Sequence, residues 1–340
     1  MSLWLAAFVA VAPVLCFLAA LLWLDGYKLL RPSAVVLALL AGVAMALVSY
    51  GLSDVLLNAL GLGIDRASYS RNVAPLVEEL LKALVIVALI RTSRVGFLVD
   101  GAIYGFAVGS GFALFENLHY LQVAQSAGLA TWVVRGFGTA IMHGGTTALF
   151  TVMALTVLAR RPGAGAAAYL PGLLLAVLMH GAFNRLGHMP QVATLVIVVL
   201  VPASLLVAFH LGERALSHWL GTGFDRDAEM LELINSGEFA SSPPGQYIGA
   251  LKRNLEGPMV ADVLCYLRVY TELALRAKGL LMMRESGFVA SGMDADTKAR
   301  FDELHYLEGS IGAAGMRALQ PLMHTSREDL WQLYMLQKSE

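Results

Sequence analysis

The sequence predicts an all-α protein: a polytopic membrane helix bundle of about seven spans, followed by a C-terminal soluble helical domain. Three observations predict it. Of the 340 residues, 57% are hydrophobic and only 14% charged, and the mean hydropathy is +0.66, well outside the composition of an ordinary globular domain. Apolar runs long enough to cross a bilayer, which takes about 20 residues, recur along the first two thirds of the chain. Near residue 213 that pattern stops, and charges at helical spacing replace it.

The expected spans lie near 3–24, 33–51, 73–91, 99–122, 136–158, 167–186 and 191–212. The first, MSLWLAAFVAVAPVLCFLAALLWL, lacks a basic leading segment and exceeds the apolar core of a signal peptide, so it is expected to stay as a helix. Cys16 in that run and Cys265 far along the chain are the two cysteines, which argues against a disulfide framework. Lys28 and Arg31, Arg91 and Arg94, and Arg160 and Arg161 follow spans one, three and five, all on one side of the membrane. The opposite loops carry Arg66 and Arg71. The more basic side is expected to be cytoplasmic, which puts the N-terminus outside and the C-terminus inside. A net charge of -1 without a basic cluster excludes a nucleic-acid partner.

In the fourth span, GAIYGFAVGSG repeats Gly101, Gly105, Gly109 and Gly111 at spacings that let another helix backbone come close. These are read as packing. Beyond residue 213, GERALSHWLGTGFDRDAEMLELINSGEF leads to the breaker SSPPG, and MVADVLCYLRVYTELALRAKGLLMM then repeats apolar residues three and four apart. The expected organisation is a bundle over 1–212, with its motif core at 70–190, and a cytoplasmic helical domain over 213–340. That domain has no metal spacing, phosphate loop or internal repeat. It reads as a regulatory or docking module.

Ionisable groups inside spans are costly and mark function by default. The third span carries Glu78, Glu79 and Lys82; the fourth has FALFEN, with Phe112, Glu116 and Asn117. The fifth has IMHGGTT with His143, and the sixth LMHGAFNRL, in which His180 and Asn184 lie four apart on one helix face. Each has a plainer alternative. Glu78 and Lys82 at i,i+4 can form an internal ion pair, with Lys82 also in reach of Glu79. An intramembrane histidine can simply bridge helices, and Met142 and Met179 are apolar filler. Yet four consecutive spans each contribute a strong polar group.

Peptide-bond hydrolysis needs such a set: a carboxylate or metal to activate water, a donor to the leaving amine, and an amide or imidazole for the oxyanion. Two mechanisms fit the residues. In one, Glu79, His143 and His180, with Glu116 as a further ligand, bind one Zn2+. In the other there is no metal, a glutamate polarises the water, and His180 with Asn184 forms the oxyanion site.

In this order on successive helices, EELLK, FALFEN, MHGGTT and HGAFN resemble the motifs of the PrsW intramembrane proteases, with a more distant similarity to CAAX prenyl endopeptidases and bacteriocin-processing membrane proteins. The resemblance covers about residues 70–190. It implies a bacterial plasma-membrane peptidase that cuts a membrane-anchored protein, such as an anti-sigma-factor-like regulator. Carried over by motif, Glu78 and Glu79 match the paired glutamates, Lys82 the basic position, Glu116 and Asn117 the second motif, His143 the third, and His180 with Asn184 the fourth. The CAAX relatives have His where this chain has Glu116. A proton- or ion-coupled transporter is the alternative, since buried Glu, His and Lys also make a relay; it is disfavoured because no matching pair of interrupted helices is evident. A non-catalytic receptor is disfavoured by the intact buried polar set.

Overall fold

The computed structural model describes residues 2–27, 30–59, 65–124, 126–251, 257–288, 294–323 and 327–337. Lys28, one of the residues used for orientation, lies outside them. Among the described residues every regular element is helical, and six helices are long and apolar enough to cross a membrane. The protein is an integral membrane helix bundle.

Helix α1 (Leu3–Leu24) starts where the Ser2 hydroxyl accepts from the N–H of Leu5 at 3.4 Å, satisfying one of the donors that a helix start leaves unpaired. Pro13 inside it has no N–H to offer the carbonyl of Val9. Gly136 comes up against that carbonyl; a Cβ there would lie 2.0 Å from the Val9 oxygen, so only glycine permits the approach. Helix α2 (Pro32–Asp54) opens on a proline, whose missing N–H costs nothing at that position, and runs into a π-helical turn at Val55–Ala59. The short α3 (Arg66–Asn72) is capped by Asp65, which accepts from the Ser68 N–H at 2.9 Å. The Ser68 hydroxyl and N–H hold the Asp65 carboxyl below its usual range.

Helix α4 (Ala74–Arg91) coincides with the third expected span. Its 18 residues extend about 27 Å, close to the thickness of a hydrocarbon core. Glu78, Glu79, Lys82 and Arg91 keep it out of the six apolar helices, which correspond to the other six expected spans. Helix α5 (Leu98–Val123) is the central one: 83% of its apolar stretch is buried within the protein, against 28% for α1 and for α2. At its start the buried Asp100 accepts from the N–H groups of Gly96, Phe97 and Gly101 at 2.8–2.9 Å, so the carboxylate is matched by donors.

The glycine repeat packs as expected. A Cβ on Gly109 would sit 2.1 Å from the carbonyl oxygen of His143, and one on Gly111 would sit 1.9 Å from that of Leu39. Helix α6 (Leu129–Val133) passes through a π-helical turn at Val134–Thr139 into α7 (Ala140–Arg160), which lies along α5. A 3-10 segment, Pro162–Tyr169, leads to α8 (Leu170–Arg185), and α9 (Pro190–Ser236) contains Pro202.

The chain divides into two compact units, Met1–Glu213 and Arg214–Glu340. In the second, α10 (Pro243–Leu251), α11 (Gly257–Glu285), α12 (Ala295–Leu319) and α13 (Arg327–Gln337) follow the end of α9. Leu267, Leu273, Ala277 and Leu281 of α11 are buried with Phe301, Leu304 and Ile311 of α12. Lys278 is buried, 2.6 Å from Asp227 and over the Trp219 ring, and burial pushes the Tyr266 phenol up to about 12. Cys16 and Cys265 are both free and exposed.

Candidate functional site

Four helices of the first unit, α4, α5, α7 and α8, bring the polar residues together. Neighbours on a helix point about 100° apart, and α4 uses that rotation to turn Glu79 inward while Glu78 stays at the edge. Glu79 is 2% exposed and Lys82 fully buried. The Lys82 ammonium donates to Glu79 Oε1 at 2.6 Å. The spacing lets Lys82 pair with Glu78 or Glu79; the structure pairs it with Glu79, three residues earlier, which shares its inward face.

Glu79 has two further partners. Oε1 also pairs with His180 Nδ1 at 2.8 Å, and Thr146 approaches both carboxylate oxygens at 3.2 and 3.3 Å. A carboxylate on Nδ1 orients the ring and leaves Nε2 for another partner. That atom faces Glu78 Oε2 at 3.9 Å.

His143 is held at both nitrogens. Lys82 Nζ lies 3.1 Å from Nδ1, and Glu116 Oε2 lies 3.0 Å from Nε2. Lysine donates and an ionised carboxylate accepts, so the contacts fit the tautomer with hydrogen on Nε2. The Thr147 hydroxyl donates to the His143 carbonyl at 3.0 Å, and the Thr146 hydroxyl lies 3.2 Å from the same oxygen. Phe112 packs against the ring at a centroid distance of 5.1 Å and lies 5.0 Å from the Lys82 ammonium. The rings of His143 and His180 meet edge to face at 4.8 Å.

Asn117, beside Glu116, turns the other way. It donates to the Ala10 carbonyl of α1 at 2.8 Å and accepts from Arg135 Nε at 2.9 Å, which ties the second motif to the segment of α1 around Pro13. Asn184 also stands apart from the cluster. Its amide donates to the Ser70 carbonyl at 2.9 Å, joining α8 to α3. Arg135 was not among the residues the sequence singled out, although an arginine inside TWVVRGFGT is an ionisable group among apolar neighbours and signals a site by the same rule.

Glu78, His143 and His180 each offer a ligand atom within 4.8 Å of the other two. Two imidazoles and a carboxylate are the donor types of a catalytic zinc site, so the residue types fit a divalent ion, which His143 would bind through a nitrogen given up by Lys82 or Glu116. This group shares both histidines with the set proposed from sequence, Glu79, Glu116, His143 and His180. It takes Glu78 as the carboxylate, whereas Glu79 lies against Lys82, His180 and Thr146. The side chains of Glu78 and Glu116 retain 18% and 31% exposure against 1% for Glu79, so the cluster is accessible on their side.

A family model described as PrsW family intramembrane metalloprotease matches residues 30–209. No curated protein and no solved structure matches the chain.

Proposed function

The chain belongs to the PrsW family of intramembrane metalloproteases, and from that premise we propose that it hydrolyses a peptide bond in a membrane-anchored protein at the α4–α5–α7–α8 cluster. Glu78, His143 and His180 are the residues that would hold a Zn2+ ion. When bound, the ion would supply Lewis acidity for water activation and for the substrate carbonyl.

The protein's own groups do the rest. Glu79 keeps Nδ1 of His180 engaged, which aims Nε2 at Glu78. Lys82 neutralises Glu79 where no bulk water can do so. Glu116, the more exposed carboxylate beside His143, is positioned to take a proton from the attacking water and return it to the leaving amine. Low dielectric around the cluster strengthens each of these interactions. A single observation carries the proposal: the convergence of Glu78, His143 and His180 from three helices, with Glu79 orienting His180.

The setting follows from the resemblance and the loop charges: a bacterial plasma membrane, N-terminus outside, C-terminal helical domain cytoplasmic, and a single-span regulator such as an anti-sigma-factor-like protein as substrate. The proposal is tested by the metal content of the detergent-purified protein beside Glu78→Gln, His143→Ala and His180→Ala. It expects about one zinc per chain, lost in all three variants. A protein that cleaves substrate while carrying no metal would sink the zinc assignment and favour a glutamate-based mechanism.

A further inference from the structure

We propose that Arg135 is a positioning residue of the peptidase site, holding Glu116 against the imidazole of His143. The proposal rests on the site reading given above. Arg135 lies in the π-helical turn Val134–Thr139 and is 9% exposed. A buried charge is expensive and needs a compensating partner.

Its guanidinium contacts three groups, the contact with Glu116 being an ion pair rather than an aligned hydrogen bond. Nε donates to Asn117 Oδ1 at 2.9 Å, Nη2 lies 3.2 Å from Glu116 Oε1, and the guanidinium carbon sits 3.6 Å from the centre of the Tyr120 ring. Asn117 in turn donates to the Arg135 carbonyl at 3.4 Å and to that of Ala10 at 2.8 Å. The arginine is therefore fixed before it meets Glu116, whereas the Glu116 side chain is 31% exposed and has room to turn.

The two oxygens of Glu116 divide between two partners. Oε1 faces Arg135, and Oε2 faces His143 Nε2 at 3.0 Å. An ion pair that served packing alone would not need its second oxygen aimed at a site imidazole. The planar fork also matters: one guanidinium reaches Asn117 and Glu116 together, which a lysine ammonium on a flexible stem cannot reproduce. The π-helical turn supplies the placement, since the extra residue per turn rotates Arg135 relative to a regular continuation of α7.

The test is steady-state cleavage of a single-span substrate by the full chain, reconstituted as wild type, Arg135→Gln, Arg135→Lys, Glu116→Gln and the Arg135→Gln/Glu116→Gln double variant. A misplaced group costs on the order of 10²-fold in rate, so Arg135→Gln should lower kcat by about that factor with KM unchanged. Arg135→Lys should recover only a small part of it, and the double variant should be no slower than Glu116→Gln alone. A raised KM with unchanged kcat, full rescue by lysine, or additive losses would each overturn the proposal.

A readout independent of cleavage accompanies it: the proton resonance of His143 Nε2–H in metal-free protein, hydrogen-bonded in wild type and lost from that position in Arg135→Gln. If no variant and no wild type cleaves, the peptidase reading fails and this signal alone judges the positioning role. If Arg135→Gln does not fold, Tyr120→Leu removes the ring beneath the guanidinium and should give a smaller fall in kcat, again at constant KM. An unchanged kcat and an unchanged signal would overturn the proposal.

Discussion

Glu78 and Glu79 are adjacent in the chain, and the rotation between them divides their work: one faces the open side of the cluster, the other is locked to Lys82, His180 and Thr146. Two expectations follow. Lys82→Met strands the buried Glu79 carboxylate and should cost about 3–5 kcal/mol of stability, read from unfolding in detergent. The Lys82→Met/Glu79→Gln double variant should lose less than Lys82→Met alone, and a double variant that loses more would contradict the pairing. Glu78→Gln should leave the unfolding midpoint near wild type while abolishing zinc binding. The polar residues themselves were legible in the sequence because each stood out within an apolar run. Their division of labour was not. Which of two neighbours faces inward depends on the phase of α4 against α7 and α8, and that phase comes from packing between distant segments. Arg135 stood out among apolar neighbours by the same rule, but its tie to Glu116, Asn117 and Tyr120 on another helix is visible only in the structure.

At the scale of the elements, the close crossing of α5 and α7 sets where His143 stands. A Cβ on Gly109 would lie 2.1 Å from the His143 carbonyl oxygen, a backbone atom that cannot step aside, whereas one on Gly101 would meet the Leu155 side-chain end at 2.4 Å. Gly109→Ala should therefore push α7 away and lower cleavage by on the order of 10²-fold. Gly101→Ala should be milder, because Leu155 can change rotamer. Equal effects in a cleavage assay on the two purified variants would contradict this account of the crossing. The apolar runs located the helices to within a few residues, and the small-residue repeat marked this contact in advance. The π-helical turns at Val55–Ala59 and Val134–Thr139 carried no such signal. A π-helical turn adds one residue to a helix without changing its composition, so hydropathy does not see it.

For the whole molecule, composition marks a change from an apolar to a charged helical pattern near residue 213, and the chain divides into compact units between Glu213 and Arg214. The loop arginines predict that reporters fused at the two ends will fall on opposite sides of the membrane, with the C-terminal one cytoplasmic; both ends on one side would contradict an odd number of crossings and the place of α4 among them. The burial of a whole polar cluster in an apolar bundle makes sense as a device for hydrolysis where water is scarce. That claim is tested most directly by reconstituting the full chain with a single-span protein substrate in vesicles and following cleavage before chelation, after chelation, and after zinc is returned, alongside Glu78→Gln. The account predicts fragments that disappear with the chelator, return with zinc and never form in Glu78→Gln. Cleavage that ignores the chelator and survives in Glu78→Gln, or an intact substrate beside ion flux through the same vesicles, would contradict it.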